Sequence, residues 1–513
     1  MLFLVFAAFA IVLSVPEDGP PWRRIESVAG TWAVVIGQVV LAAATGLVYA
    51  RRVCRRLDRH PERLSSAQQS LAQGGTTLGG VLLAGLVAGI YGTDWVRIVR
   101  SWEALPRIWA LDEVIILLPF LLSILAGWIA LYPADRAIRQ VALELSLWSL
   151  APARPVWRLG QYLSFNLRQN VLIIYVPMIP VVIANDFATA YSQQIRAITH
   201  LAWAEQAVMA VTSGLVFLIA PVMLRYIWHT RVLPPGELRD RLEALCRRIG
   251  LTYRRILIWE SDGMVVNAAV MGIAAPVRYI LLSDGLIETM DDQKIEAVFG
   301  HEAGHVKHRH IEFYMLFAIC SMFIVGGVFE LVAWAARTYP AYFPPMKLLT
   351  DYLQMASVAL MIVIWGLGFG FVSRRFEWQA DLFGARSITP PAHACDRPCH
   401  LHGTAAPPDG PTSRALCSTA AHVFADALDR IATLNGIPKE ARSWRHSSIA
   451  NRMRLLEAYA RDPANVVRLE RAVTAIKIVL IVGTLIGIAV GLWLYWPAEW
   501  FESWRAASPT PAA

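Results

Sequence analysis

Apolar runs near the length of a membrane span recur at 28–50, 75–92, 114–132, 170–185, 206–227, 314–337, 352–373 and 472–494. An α-helix rises about 1.5 Å per residue, so roughly 20 apolar residues cross the hydrocarbon core of a bilayer. Each run is therefore expected to form a membrane-crossing helix. The run at 170–185 contains Pro177 and Pro180, which interrupt helical hydrogen bonding. Residues 1–15 (MLFLVFAAFAIVLSV) are a ninth, shorter candidate. They lack the basic start of a secretion signal and read as a short first span.

Two intervening segments are long enough to fold. In 232–310, Leu238, Leu242 and Leu245 recur at helical spacing among charged residues, ahead of Gly250, which reads as an amphipathic helix with a glycine stop. Short β-type runs follow at 254–259, 264–270 and 277–282. A helix then starts near Thr289–Asp292, where short polar side chains can cap it, and continues through 310. The second segment, 374–471, reads as helices around 374–386, 415–434 and 447–461. An irregular loop rich in Pro and Gly is expected at 388–413.

Composition fits this picture. The chain has 513 residues, 56% hydrophobic and 17% charged, against about 45–50% and about 25% in soluble domains. A disordered chain is excluded, and a water-soluble enzyme with one core is disfavoured. The net charge of +8 comes from 47 basic and 39 acidic residues. The basic residues collect at the ends of apolar runs, as in Arg51-Arg52, Arg55-Arg56 and Arg374-Arg375. Nucleic-acid binding would call for a basic stripe on a soluble face, so it is not expected. The positive-inside rule puts the Arg-dense loop 51–63 in the cytoplasm. Counting spans from there puts 133–169, 228–313 and 374–471 on the same side.

The expected organisation is an N-terminal membrane domain of about six spans (1–230), two polar segments (231–313 and 374–471) flanking a transmembrane helical hairpin (314–373), a last span (472–494) and a tail (495–513). The fold class is mainly α: a polytopic helical membrane protein of eight or nine spans, with a cytoplasmic domain containing a small β-sheet.

The chemistry concentrates in the polar segments. In DDQKIEAVFGHEAGHVKHRH, which begins at Asp291, His301 and His305 lie one helical turn apart on one face. Both imidazoles can reach one Zn²⁺, and Glu302 projects beside the open coordination position as an acid/base. A third donor is available after the eighth candidate span, where Glu377 and Asp381 are again four apart. One can act as a carboxylate ligand and the other can orient a ligating His. The helical hairpin between these motifs returns the chain to the side from which it left.

With these residues in place, the sequence resembles the family of zinc-dependent membrane metallopeptidases that includes the type 1 CAAX prenyl protease and the HtpX heat-shock protease. The likeness runs over about 232–465. It rests on His301–His305, two spans, and Arg374-x-x-Glu377-x-x-x-Asp381. It implies a gluzincin-like peptidase holding one Zn²⁺ per chain on His301, His305 and Glu377, with Glu302 as catalytic acid/base and Asp381 supporting the ligands. Asn267-Ala268 is similar to the family's strand signature and implies pairing of Asn267 with substrate. His446-Ser447-Ser448-Ile449-Ala450-Asn451-Arg452 resembles its His-Pro-x-x-x-x-Arg element, implying His446 for oxyanion stabilisation and Arg452 for substrate contact. Ser447 stands where the family has Pro.

The implied function is hydrolysis of membrane or membrane-associated polypeptides in quality control, within a bacterial inner membrane, with lipids and polypeptides as partners. Processing of lipidated peptides is one alternative. An inactive scaffold or transporter with a structural zinc is another. Three further features stand beside the motif. His308 and His310 are expected to turn away from the ligands towards the surface. Cys395, Cys399, His400 and His402 make either a second zinc site or a set of reduced thiols. Glu330, inside the seventh candidate span, lines an internal chamber or packs against a polar group of a neighbouring helix.

Overall fold

The computed structural model describes residues 2–14, 25–102, 110–149, 155–199, 204–388, 395, 399, 415–441 and 445–495. The chain opens with helix α1 (Leu2–Ser14), followed by α2 (Val28–Arg59), α3 (Leu64–Tyr91) and α4 (Trp95–Arg100). Next come α5 (Leu111–Ser149), α6 (Leu159–Leu167), α7 (Ile173–Ala190), α8 (Ser192–Thr199) and α9 (Ala204–Ile227). Strand β1 (Thr230–Val232), α10 (Glu237–Ile249), β2 (Arg255–Trp259), β3 (Ala268–Met271), β4 (Tyr279–Ser283) and α11 (Asp284–Thr289) lead into α12 (Asp292–Lys307). The rest is helical: α13 (His310–Thr338), α14 (Met346–Val363), α15 (Gly370–Ser387), α16 (Ser418–Leu434), α17 (Ile449–Arg461) and α18 (Pro463–Tyr495).

Among the described residues, eight stretches are long and apolar enough to cross a membrane. They correspond one to one with the apolar runs other than 1–15. That first segment is helical over Leu2–Ser14 among the described residues. It is packed: Val5 and Phe9 are buried among helices of its own unit, and the Phe9 ring meets Tyr175 edge-on at 4.4 Å. Pro177 and Pro180 do lie inside α7, and Arg168–Leu172 just ahead of it winds as a π-helix. The apolar helices also expose large side chains, such as Val479, Leu485 and Ile486 on α18 and Leu331 and Trp334 on α13. Water penalises such faces and lipid accepts them.

The chain divides into two compact units. The first comprises 1–233, 253–266 and 274–289. Its core joins α2, α3, α5 and α7 through residues such as Leu78, Leu82, Leu117, Phe120 and Val182. It also holds β1, β2 and β4. β1 runs antiparallel to β2, and β2 runs parallel to β4 with Ile256 opposite Ile280 and Ile258 opposite Leu282. Strand β1 has no counterpart in the hydrophobic pattern, because its three residues (Thr-Arg-Val) are too few to alternate.

The second unit comprises 234–252, 267–273 and 290–513. Here α10 buries Leu242 and Leu245 and stops at Gly250, whose φ of +63° suits glycine. Asp291 caps α12 by accepting from the Lys294 amide at 2.9 Å. Arg241 clamps α10 to α12 by donating to Glu296 and Asp292, and Lys294 reaches Asp426 on α16 at 2.7 Å. α12 is thus fixed at its start by charge pairs. Along its length it is held by α15 and α16, and β3 packs beside it. Glu330 is half-buried on α13 and has a polar interaction. The expected loop at 388–413 lies outside the described residues except for Ile388, Cys395 and Cys399, as do His400 and His402.

Candidate metal centre

Three elements bring the chemistry together. α12 carries His301, Glu302 and His305; α15 carries Glu377 and Asp381; the 446–452 stretch, entering α17, carries His446 and Arg452. The two main helices meet through small residues. Gly300 and Gly304 face Gly384 and Ala380, and a Cβ at Gly384 would lie 2.8 Å from the backbone nitrogen of His301. This close approach puts Glu377, one turn before Ala380, beside the imidazoles. A π-helical stretch, Ile364–Phe369, stands immediately before α15; such turns often mark functional sites.

The donor atoms form a compact triangle. His301 Nε2 and His305 Nε2 are 3.4 Å apart, and each lies 3.6 Å from an oxygen of Glu377. A tetrahedral zinc with ligand bonds of about 2.0–2.1 Å requires its donors about 3.3 Å from one another. The two imidazoles and one carboxylate therefore fit Zn²⁺ in separation, chemical type and number, leaving a fourth position open.

Each imidazole is held from behind. His301 donates from Nδ1 to Asp381 Oδ1 at 2.8 Å, which leaves Nε2 to offer its lone pair. Burial pulls the His301 pKa down, but the hydrogen bond and charge of Asp381 reverse this and hold it above the ordinary value. Asp381 in turn accepts both arms of the Arg452 guanidinium, with Nε to Oδ2 at 2.8 Å. His305 has a different support. Its Nδ1 lies 3.0 Å from His310 Nδ1, and His310 Nε2 lies 2.9 Å from Gln379 Oε1. If Nε2 of His305 offers its lone pair to a metal, Nδ1 carries the proton and donates to His310, which donates in turn to Gln379. Burial depresses the His305 pKa to about 3, so this imidazole stays neutral and available as a ligand.

His310 corrects the sequence expectation. It is fully buried, stacked on Phe376 with ring centroids 4.3 Å apart, and joined to His305 rather than turned to the surface. Spacing along α12 misled because the helix ends at Lys307 and Arg309 takes φ +56°, which redirects the chain before α13 begins. His308 is partly buried, and burial lowers its pKa to about 4. Substituting His310 with Phe keeps the stack and removes the hydrogen bond. Zinc affinity should fall roughly 10–100-fold, as for other groups that orient a ligating His, measured by competition with a chromogenic chelator. Unchanged affinity would exclude the relay.

The remaining expected residues are placed as follows. Burial pushes the Glu302 carboxyl above the ordinary glutamate range, and His301, Glu377, His446 and Arg452 are near enough to act on its charge. His446 places Nδ1 2.9 Å from Glu377 Oε2, and half its side chain is exposed. Ser447, at the position of the family's Pro, has φ +66°, a conformation closed to proline. Its hydroxyl accepts from the Asn451 side chain at 3.0 Å, and Ser448 caps α17. Arg452 is buried, and its guanidinium donates to Asp381. Asn267 is exposed immediately before β3.

The site geometry agrees in kind with what sequence comparison finds. Residues 233–469 match the model of Peptidase family M48, so this stretch is a peptidase M48 domain carried on a chain with several apolar, span-length helices. Among curated relatives, the Protease HtpX homolog of Aeropyrum pernix is 27% identical over 123 residues, 23% of this chain and 37% of that protein. The CAAX prenyl protease 1 homolog of Arabidopsis thaliana is 24% identical over 186 residues, 35% of this chain and 44% of that protein. The chain thus spans under half the length of these relatives. Among solved structures, Ste24p of S. mikatae superposes with a TM-score of 0.47 at 15% identity, over 82% of this chain and 97% of that one.

Proposed function

We propose that the protein is a membrane-embedded zinc metalloendopeptidase that hydrolyses peptide bonds of membrane or membrane-associated proteins. The observation that carries this is the triangle of His301, His305 and Glu377, spaced for tetrahedral zinc, with the Glu302 carboxylate on the same helical turn. A zinc ion held there supplies Lewis acidity towards the scissile carbonyl and acidifies a water molecule. Glu302 would take a proton from water at this centre and return it to the leaving amine, acting as general base and then as general acid. His446, whose Nδ1 pairs with Glu377 and whose side chain is half exposed, is the residue to which we assign donation to the developing oxyanion. Asn267, at the start of β3, offers an exposed side chain and adjoining strand backbone for an extended substrate.

The Arg clusters at span ends support a cytoplasmic active site and a multi-pass location in a bacterial inner membrane. Quality control of unfolded membrane proteins is the substrate class favoured by the Arg-heavy, Lys-poor composition, because prenylated peptides are not expected in a GC-rich bacterium. The test uses purified full-length protein in detergent with an unfolded membrane protein, casein and a lipidated peptide as substrates. Cleavage should stop on chelation and return with Zn²⁺. Metal analysis should find zinc bound at the His-His-Glu centre and lost from His301→Ala. Hydrolysis that survives chelation, or no zinc difference between wild type and the variant, overturns the reading.

A further inference from the structure

A second cluster of metal-ligating side chains lies in the unit that carries the His-His-Glu centre, and shares no residue with that centre. The sulfur atoms of Cys395, Cys399 and Cys417 all lie within 4.8 Å of one another, with Cys395 and Cys417 Sγ 3.3 Å apart. None is in a disulfide. Cys399 is fully buried and Cys417 nearly so, which excludes bulk water from most of the cluster. Cys417 is the N-cap of α16. The spacing Cys395-x3-Cys399 falls in the range used by paired zinc ligands, and Cys417 supplies the third sulfur from a rigid helix start. Tetrahedral thiolate ligation with zinc–sulfur bonds of about 2.3 Å needs sulfurs about 3.8 Å apart, a spacing within the limits observed.

We propose that Cys395, Cys399 and Cys417 bind a second Zn²⁺ as thiolates, pinning the connection between α15 and α16 to the start of α16. Each thiol releases its proton on binding, and a further donor or a water fills the fourth position. Zinc fits the donors because thiolates are soft ligands and the ion imposes no strict geometry of its own. The consequence lies in what the connection joins. α15 carries Glu377 and Asp381, while α16 packs against both α12 and α15. A metal at the start of α16 shortens the free connection between two walls of the catalytic centre.

The two sites can be read separately because the His-His-Glu centre contains no sulfur. Full-length protein, metal-depleted and loaded with Co²⁺, should show a thiolate-to-cobalt charge-transfer band in wild type and in His301→Ala. The band should vanish in the triple substitution Cys395→Ser, Cys399→Ser, Cys417→Ser. Wild type should hold about two zinc ions per chain, one of them released by a mercurial that attacks only thiolates. If the triple variant does not fold, the band and the mercurial release in wild type and His301→Ala still decide the matter. Absence of both overturns the proposal, as does mass-spectrometric detection of a Cys395–Cys417 disulfide in protein prepared without reductant. Thiolate-bound zinc with no zinc lost from His301→Ala would instead leave this site standing and remove the catalytic one.

Discussion

Replacing Glu302 with Gln should reduce kcat by about 10³-fold or more while leaving zinc content and thermal stability unchanged. The expected size follows from the role. A positioned general base and acid contributes typically 10²–10⁴-fold, and Glu302 would act twice in each turnover, once on the water and once on the leaving amine. The expected selectivity follows from the structure. A zinc at this centre would draw its three protein donors from His301, His305 and Glu377, so the substitution removes none. Gln keeps the shape of the side chain, and burial already disfavours the Glu302 charge, so removing that charge does not weaken the fold. KM should change little, because the lost interaction belongs to the transition state. The comparison that matters is His301→Ala, which should lose activity together with the zinc of the His-His-Glu centre. Should the Glu302 variant retain wild-type turnover, the acid/base assignment fails even if the zinc site is real.

The sequence made the frame legible where a physical pattern was long or a chemical spacing was rigid. Eight apolar runs became eight span-length helices because roughly 20 consecutive apolar residues leave few alternatives. The amphipathic α10, the cap at Asp291 and the run into α12 were readable for the same reason. His301, His305 and Glu377 could be paired across a helical hairpin because their i, i+4 spacings fix them to helix faces. What escaped was set by tertiary contact. The packing of α1 through Val5, Ala8, Phe9 and Val12 is one such contact, invisible in a uniformly apolar run. The approach of α12 to α15 depends on Gly300, Gly304 and Gly384, whose pattern is visible only once two helices are known to touch. His310 reaches His305 through a break at Arg309 that helical periodicity does not register. The three cysteines are spread over 395–417, and only the fold shows Cys417 to belong with the other two.

Arg452 has a substrate role by resemblance and a buried ion pair with Asp381 in the structure, and replacing it with Met should separate the two roles. A substrate-facing arginine would, when replaced, raise KM and leave the metal alone. The buried pair in the structure makes the opposite demand. Asp381 is nearly inaccessible and its carboxylate is held by one imidazole and by both arms of Arg452. Removing the guanidinium leaves a buried anion with half its partners, a change that typically costs about 3–5 kcal/mol, against a total stability of about 5–15 kcal/mol for a domain. Asp381 can relieve that cost by taking up a proton. It then no longer accepts from His301 with the strength of a carboxylate, and the imidazole loses the partner that sets its tautomer. Zinc affinity should therefore fall roughly 10–100-fold together with stability, read by chelator competition and by thermal unfolding in detergent. Lys at this position should rescue little, because an ammonium cannot donate to both oxygens in parallel. Combining Arg452→Met with Asp381→Asn should restore part of the stability, since the stranded charge is gone, but not the zinc affinity, since His301 remains poorly anchored. A higher KM with normal zinc binding and normal stability would return Arg452 to the substrate.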